Sequence, residues 1–434
     1  MNERFGAKGG WLRGAMSESE EDSSAASSDE WPVTADWLEA VLAAHHRRPA
    51  AVADFSVRPG CDAGESVLSD ILAVQVAYRL DGDHGDEPRR LSLIVKLLPH
   101  DPFSRYFVTE AQFDLREIKF YTQVVPELDE LQRRLLAPGA APLQLPIPRC
   151  YHARYAAPGA DSPRASPVAL CESVLVLENL KALGYQSADF SRGLSLRQAA
   201  AALDSVARLH ALSLALKVKE GRPLDERYPF LFQTSKATDS YQQLVERGLP
   251  QLARFLEKRA GMEPVLEALA ALRPATKELI ASLLAPREPM ALITHTDFWC
   301  NNLLFRDGED GRCACAVLDW QMVTYSGPTN DVALLLVSSL PTELRRGRTR
   351  DLLDGYWAAL LAAASALGVD VQGALGYGRD DLARDYRRSQ LLALLLCVGS
   401  VDVALGDALT EQRLLDVLAD LHGEGVLSPD LLSA

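Results

Sequence analysis

The sequence predicts an α+β fold in two unequal parts: a small antiparallel sheet with one key helix, then a larger, mainly helical part. Three observations predict it. Short apolar runs bounded by turn residues crowd the segment before Leu180. Apolar residues at helical spacing dominate the chain after it. One polar hairpin, with acidic residues on both sides, interrupts the helical part near residue 300.

The elements follow in order. Residues 1–30 are set apart because Ser17 to Glu30 is serine-rich and acidic, too poor in apolar side chains to bury a core, and so reads as a disordered tail. The sheet part spans 31–180 and the helical part 181–434. Trp37 to Ala44 is a short opening helix. Strands are expected at Ala51–Val57, Val67–Tyr78 and Leu91–Leu98, with Asp81-Gly82-Asp83 as a turn. Phe113, Glu117, Phe120 and Tyr121 recur on one helical face. The Pro/Ala-rich run Ala137 to Pro148 is a loop, and Cys150–Tyr155 and Ser173–Leu180 complete five strands. Helices are then expected at Leu196–Leu216, Leu244–Leu256, Val265–Leu284, Asp351–Leu367, Asp381–Val398 and Thr410–Leu421, interrupted only by the hairpin. No internal repeat is present in the sequence.

Composition narrows the function classes. The 434 residues, nearly half of them hydrophobic, suffice for a sizeable core. A formal charge of −14 and the lack of a basic stripe disfavour nucleic-acid and anionic-membrane binding. Seven scattered cysteines form no Cys-x-x-Cys pair, and Cys313-x-Cys315 has no nearby histidine to complete a metal site. Reduced thiols in a cytoplasmic protein are expected. The first residues carry charges and glycines rather than the apolar stretch of a signal peptide. The longest apolar tracts, Trp357 to Val369 and Leu391 to Val398, fall short of the ~20 residues of a membrane span and read as core helices. No obligate protein partner is evident.

The chemistry is concentrated in His295-Thr296-Asp297-Phe298-Trp299-Cys300-Asn301-Asn302 and in Val317-Leu318-Asp319-Trp320. Phosphoryl transfer asks a protein mainly to position reactants and neutralise charge. Asp297 can accept the proton of an attacking hydroxyl. Asn302 and Asp319 offer the hard oxygens that suit magnesium on ATP phosphates. Leu303 to Phe305 and Ala316 to Leu318 read as strands paired across Arg306 to Arg312, which would set Asn302 beside Asp319. An isolated His-x-Asp would read as a polar turn; the amide and second acid at this spacing change that reading. His295 is expected to orient the loop by hydrogen bonds, since the reaction needs one base. Asp331, in Pro328-Thr329-Asn330-Asp331, could cap a helix. His210 reads as a satisfied core histidine, having no second ligand at metal spacing.

Upstream, Lys96 sits inside the apolar run Leu91 to Leu98, where an ammonium is costly unless paired. Phosphates and the carboxylate of Glu117 would pair it. The alternative for each alone is a snorkelling lysine and a solvated glutamate. Gly60 to Ser69, before the second strand, offers glycines and serines whose backbone N–H groups and hydroxyls could meet phosphates, or simply a turn.

These motifs resemble the ecdysteroid-kinase-like group, also called choline-kinase-like (CHK), within the protein-kinase-like superfamily. The loop is similar to its His-Gly-Asp-Phe-Trp-x-Asn-Asn-x-Leu-Phe, with Thr296 in place of glycine. Leu318-Asp319-Trp320-Gln321 resembles its Leu-Asp-Phe-Gln. Glu117 to Tyr121 with Val125-Pro126-Glu127-Leu128 matches its Glu-x-x-x-Tyr…Pro-Glu-Leu helix. Val176 to Leu180 resembles its hinge, with Asn179 where an acid is common. Leu209-His210-Ala211 and Tyr228-Pro229-Phe230-Leu231 also fit. Of its Gly-Glu-Asn-Tyr-x-Ser phosphate loop, only Gly64, Glu65 and Ser69 carry over.

The resemblance spans about residues 35 to 420 and implies a two-lobed protein-kinase-like fold, with an N-lobe ending at a hinge and a C-lobe holding the catalytic loop and acceptor pocket. It implies ATP and magnesium as cofactors and a small-molecule hydroxyl acceptor, an ecdysteroid or related alcohol. Lys96 would hold phosphates and Glu117 would orient it. Gly64 and Ser69 would serve the phosphate loop, and Glu178, Asn179 and Leu180 would meet adenine. Asp331 would brace the catalytic loop. Phe298 and Trp299, and the apolar surroundings of Tyr356-Trp357 and Leu391 to Leu396, favour an uncharged, mainly apolar acceptor; Trp299 could wall its pocket. A choline or aminoglycoside kinase shares the chemistry but would want acidic or aromatic groups around a cation. A protein kinase is disfavoured because Asp319 to Asp331 is short for an activation segment and no Ala-Pro-Glu follows. A nonenzymatic pseudokinase is disfavoured by intact Lys96, Asp297, Asn302 and Asp319.

The tail reading makes a direct prediction: a chain beginning at Trp31 keeps the melting temperature and turnover of the full chain, measured by thermal denaturation and steady-state assay. A large loss in either would mean that the tail docks on the folded part.

Overall fold

The computed structural model describes residues 32–61, 68–84, 87–157, 172–309 and 311–432. The tail and Gly64 lie outside them. The described residues form two compact units. One runs to residue 123 and resumes over 148–185; the other holds 124–147 and the chain from 186 onward.

The first unit contains α1 (Ala35–His46), β1 (Ala50–Pro59), β2 (Asp70–Leu80), β3 (Arg89–Leu97), α2 (Pro102–Glu110), α3 (Phe113–Lys119), β4 (Cys150–Arg154) and β5 (Val174–Glu178). Its five strands form one antiparallel sheet in the order β1-β2-β3-β5-β4. Thr34 starts α1 by accepting from the N–H of Trp37 at 3.3 Å, a side-chain cap on an otherwise orphan donor. Trp37, Leu38, Val41 and Leu42 of that helix pack on Leu72, Val74 and Val76 of β2 and on Leu93, Val95 and Leu97 of β3. Strand side chains alternate between faces, so Lys96, between Val95 and Leu97, faces away from this core. The helix foreseen at Glu117 is present as α3, with Phe113, Glu117, Phe120 and Tyr121 all buried. A π turn over Phe120–Val124 follows, just ahead of Pro126, which has no N–H to give.

The second unit is mainly helical. It holds α4 (Val125–Leu135), α5 (Leu196–Glu220), α6 (Leu224–Arg227), α7 (Thr234–Leu256), α8 (Glu263–Leu272), α9 (Thr276–Leu284), α10 (Thr329–Ser339), α11 (Thr342–Ala366), α12 (Arg379–Gly399), α13 (Val401–Ala404) and α14 (Ala408–Gly423). Its strands are β6 (Gln186–Ser187), β7 (Leu292–Thr294), β8 (Leu303–Asp307), β9 (Cys313–Val317) and β10 (Thr324–Ser326). β8 pairs with both β6 and β9, and β7 pairs with β10.

Several boundaries differ from the sequence reading. The helix expected over Val265–Leu284 is two helices, because Pro274 breaks it with a 3-10 turn at Arg273–Ala275. α2, α6 and α13 had no prediction, α4 was foreseen only through the Pro-Glu-Leu resemblance and α10 only through the cap reading of Asp331, and the short strands β6, β7 and β10 also interrupt the helical part. The longest apolar helix is α5, not the tracts singled out above. It is long and apolar enough to cross a membrane, but most of that window is buried, with α11, β7 and β9 packed around it. A capping box of Ser195 and Gln198 starts it.

Gly248 sets the approach of α7 to α12. A Cβ there would collide with the carbonyl oxygen of Val398. Gly248→Ala is therefore expected to destabilise the protein by roughly 1–3 kcal/mol through overpacking, read as a lower denaturation midpoint at unchanged slope; wild-type stability would mean that the two helices slide apart freely.

Candidate active site

The loop between β7 and β8 is built around one buried carboxylate. Asp331 lies in the first turn of α10 and is fully buried. Its Oδ2 accepts the N–H of His295 and its Oδ1 the N–H of Thr296, both at 2.8 Å. His210 Nε2, on α5, reaches Oδ2 at 3.2 Å, and Tyr356 OH meets His210 Nδ1 at 2.9 Å. The carboxylate faces the ring as acceptor, so His210 carries its proton on Nε2 and Tyr356 donates to Nδ1. This corrects the helix-cap reading: Pro328 stands at the cap position, and Asp331 holds the neighbouring loop instead. His210 is the satisfied core residue expected of it.

His295 is held just as firmly. Its Nδ1 accepts the N–H of Asp297 at 3.2 Å, and its Nε2 donates to the carbonyl of Leu318 at 2.8 Å. Both ring nitrogens are committed, which fixes one tautomer and ties the loop to the segment carrying Asp319. Thr296 has φ +59°, a left-handed conformation costly for a β-branched residue. Its hydroxyl meets the carbonyl of Met322 at 2.6 Å and Thr324 Oγ1 at 2.9 Å. The threonine thus retains a glycine-like backbone through bonds a glycine cannot make.

Asp297 and Asn302 are in contact. Asn302 Nδ2 donates to Asp297 Oδ2 at 2.7 Å and to the Asp297 carbonyl at 2.9 Å. Burial and the nearby Asp319 carboxylate hold Asp297 well above the usual carboxylate range; donors from Asn302 and Trp299 oppose them. The amide nitrogen of Asn302 faces Asp297, so Oδ1 is its remaining hard oxygen. Leu303 pairs with Val317, and the Leu318 N–H donates to the Asn302 carbonyl at 2.8 Å. The hairpin thereby sets Asn302 against the strand end that leads into Asp319. Asp319 has φ +64°, and Gln321 Nε2 donates to its Oδ2 at 3.2 Å.

In the first unit, Lys96 Nζ meets Glu117 Oε2 at 2.6 Å, with Glu117 almost wholly buried. Ser69 is also buried, and its hydroxyl donates back to the Leu68 carbonyl at 2.7 Å. At the expected hinge, the N–H groups of Glu178 and Asn179 donate to the carbonyls of Arg149 and Ser92. Asn179 also caps the following 3-10 turn by accepting from the Lys181 N–H.

The acceptor surroundings expected at Tyr356 and Leu391 to Leu396 are packed core, with Tyr356 on His210. Open space lies elsewhere, beside Phe190 and Trp299, whose rings meet edge to face at 5.4 Å. Phe190 and the residues of α13 and α14 that share this space carried no sequence motif. Burial pushes the Cys300 thiol up to about 11, which suits an inert core position; Cys397 is only partly buried and lines the open space, its thiol also pushed up, to about 12.

Comparison with known proteins gives one family. The model of the ecdysteroid kinase-like family matches residues 63–369. No curated protein matches. Among solved structures, the microcompartment-associated aminopropanol kinase is similar at 13% identity and a TM-score of 0.44, over 86% of this chain and 94% of that one. The choline kinase from Cryptosporidium parvum Iowa II is similar at 11% identity and 0.43, over 86% and 91%. Choline kinase LicA from Streptococcus pneumoniae is similar at 14% and 0.39, over 86% and 94%.

Removing the Asp331 carboxylate leaves two buried N–H groups and His210 without their acceptor. Asp331→Ala is expected to cost roughly 3–5 kcal/mol, measured by equilibrium unfolding. A loss below about 1 kcal/mol, the scale of a single ordinary hydrogen bond, would show that the loop holds without it.

Proposed function

The chain belongs to the ecdysteroid kinase-like family, and from that premise we propose that it is an ATP- and magnesium-dependent small-molecule kinase that phosphorylates a hydroxyl of an apolar alcohol such as an ecdysteroid or related metabolite. The observation that carries this reading is the Asp297–Asn302 contact on a loop tied to the Asp319 segment, because it sets a proton acceptor beside two hard oxygen donors.

In this reading Asp297 accepts the proton of the attacking hydroxyl. Asn302 Oδ1 and the Asp319 carboxylate hold magnesium. The donor set fits that ion: one carboxylate and one amide oxygen leave most positions for phosphates and water, as magnesium prefers. No group of three His, Cys, Asp or Glu side chains able to hold a metal occurs among the described residues. Bound with ATP, the ion would supply neutralisation of phosphate charge. Lys96, oriented by Glu117, binds phosphate oxygens. At the hinge, the Glu178 and Asn179 N–H groups are spent on the Arg149 and Ser92 carbonyls, so Glu178 and Asn179 would meet adenine through their carbonyl oxygens and Leu180 through its N–H. Gly64 stays assigned to the phosphate loop by the family motif alone, and Ser69 would have to give up its bond to Leu68 to join it. His295 and Asp331 position the loop and transfer no proton.

Two variants test the assignment. Asp297→Asn is expected to keep nucleotide binding and lower turnover by roughly two to four orders of magnitude, the range for a positioned general base; near-normal turnover would remove Asp297 from that role. Asp319→Asn is expected to weaken magnesium-dependent ATP binding more than Asp297→Asn does, in calorimetry across a magnesium titration. Equal magnesium dependence in variant and wild type would sink the metal assignment.

A further inference from the structure

A cleft that opens to solvent, with a cavity volume of about 50 Å3, lies within the second unit beside the catalytic loop. Phe190, Trp299, Val337, Val403, Leu414 and Val417 give it an apolar wall. One cation interrupts that wall. Arg413, on α14, is only 6% exposed. Its Nη2 donates to the Phe190 carbonyl at 2.8 Å, its Nη1 lies 3.5 Å from the Ser191 carbonyl, and its guanidinium stands 4.6 Å from the centre of the Phe190 ring. It forms no ion pair among the described residues. Asp189 and Asp407 act on it only at longer range.

A guanidinium keeps its charge and carries five N–H donors. Burying it costs several kcal/mol unless a counter-charge or a full set of acceptors replaces water. Two carbonyls and an aromatic face replace part of that shell. The cleft is the remaining side from which compensation can come, and a carboxylate matches the planar fork of the guanidinium. A quaternary or primary amine in the same space would face a like charge in an apolar surround.

We infer that this cleft is the acceptor subsite and that it takes an apolar alcohol bearing a carboxylate at the end remote from the reacting hydroxyl, with Arg413 as the counter-ion. The inference rests on the kinase reading and deepens it. Trp299 lines the cleft and follows Asp297 by two residues, so the loop that carries the base also carries a wall of the subsite. It changes one part of the sequence expectation: the acceptor is apolar in body but anionic at its far end.

Calorimetry on the full chain tests this without turnover. The probes are cholate, a hydroxylated steroid acid, below its micellar concentration, and its methyl ester, which has the same body and hydroxyls but no charge. Wild type is expected to bind cholate at least tenfold more tightly than the ester. Arg413→Met should erase that difference, and Arg413→Lys should restore part of it. Equal or tighter binding of the ester, or binding of neither, overturns the inference, and this comparison needs no variant to fold. The thermal shift with magnesium and ATP, taken on the same samples, reads the kinase assignment separately. A nucleotide shift without cholate preference sinks the subsite alone; no nucleotide shift overturns the kinase reading and with it the acceptor role of the cleft.

Discussion

The Asp331 carboxylate is the interaction on which the rest of the site depends. It is buried, and what replaces its hydration is a ring of donors: two consecutive backbone N–H groups and an imidazole. The donors come from two parts of the fold. His210 brings α5, and through Tyr356 also α11, into the network. His295 and Thr296 bring the loop. A buried network of this kind is worth having only when every member is satisfied, which explains why the geometry around it has so little freedom.

That constraint propagates to the groups assigned to chemistry. With the N–H groups of His295 and Thr296 pinned, Thr296 must take a left-handed backbone, and its hydroxyl bonds to Met322 and Thr324 offset part of the strain. The next residue is Asp297. His295 meanwhile joins the Asp297 N–H to the Leu318 carbonyl, so the loop is tied directly to the Asp319 segment. Placement of the Asp297 carboxylate, proposed as base, and of the Asn302 and Asp319 oxygens, proposed as metal ligands, then follows largely from backbone geometry.

The sequence revealed some of this well and some poorly, for physical reasons. The five-strand sheet was legible because its runs alternate and end in turn residues, and Lys96 stood out because a charge inside an apolar strand demands a partner. The β8–β9 hairpin was legible because polar Arg306 to Arg312 separates two short apolar runs. That Asp331 braces the loop was implied by the resemblance alone; its donors were not legible locally, because they come from residues 35, 36 and 121 positions away and no local pattern encodes that meeting. The break at Pro274 was missed because apolar periodicity continues through it. α2 escaped because its first turn rests on the Asp101 cap and Pro102 rather than on an apolar stripe. Of the apolar surroundings foreseen for an acceptor, Trp299 does line open space, but Tyr356 and Leu391 to Leu396 fill core, because apolar helices such as α12 signal burial equally whether they line a pocket or fill a core.

The central claim is that this arrangement transfers a phosphoryl group to an alcohol. The most direct measurement is incubation of the wild-type chain with ATP labelled at the γ-phosphate, magnesium and a panel of hydroxylated metabolites, with products resolved by mass spectrometry. The account predicts label on an acceptor hydroxyl, dependent on magnesium. Nucleotide binding with no label on any acceptor across a panel that includes hydroxylated steroids, neutral and acidic, would contradict it.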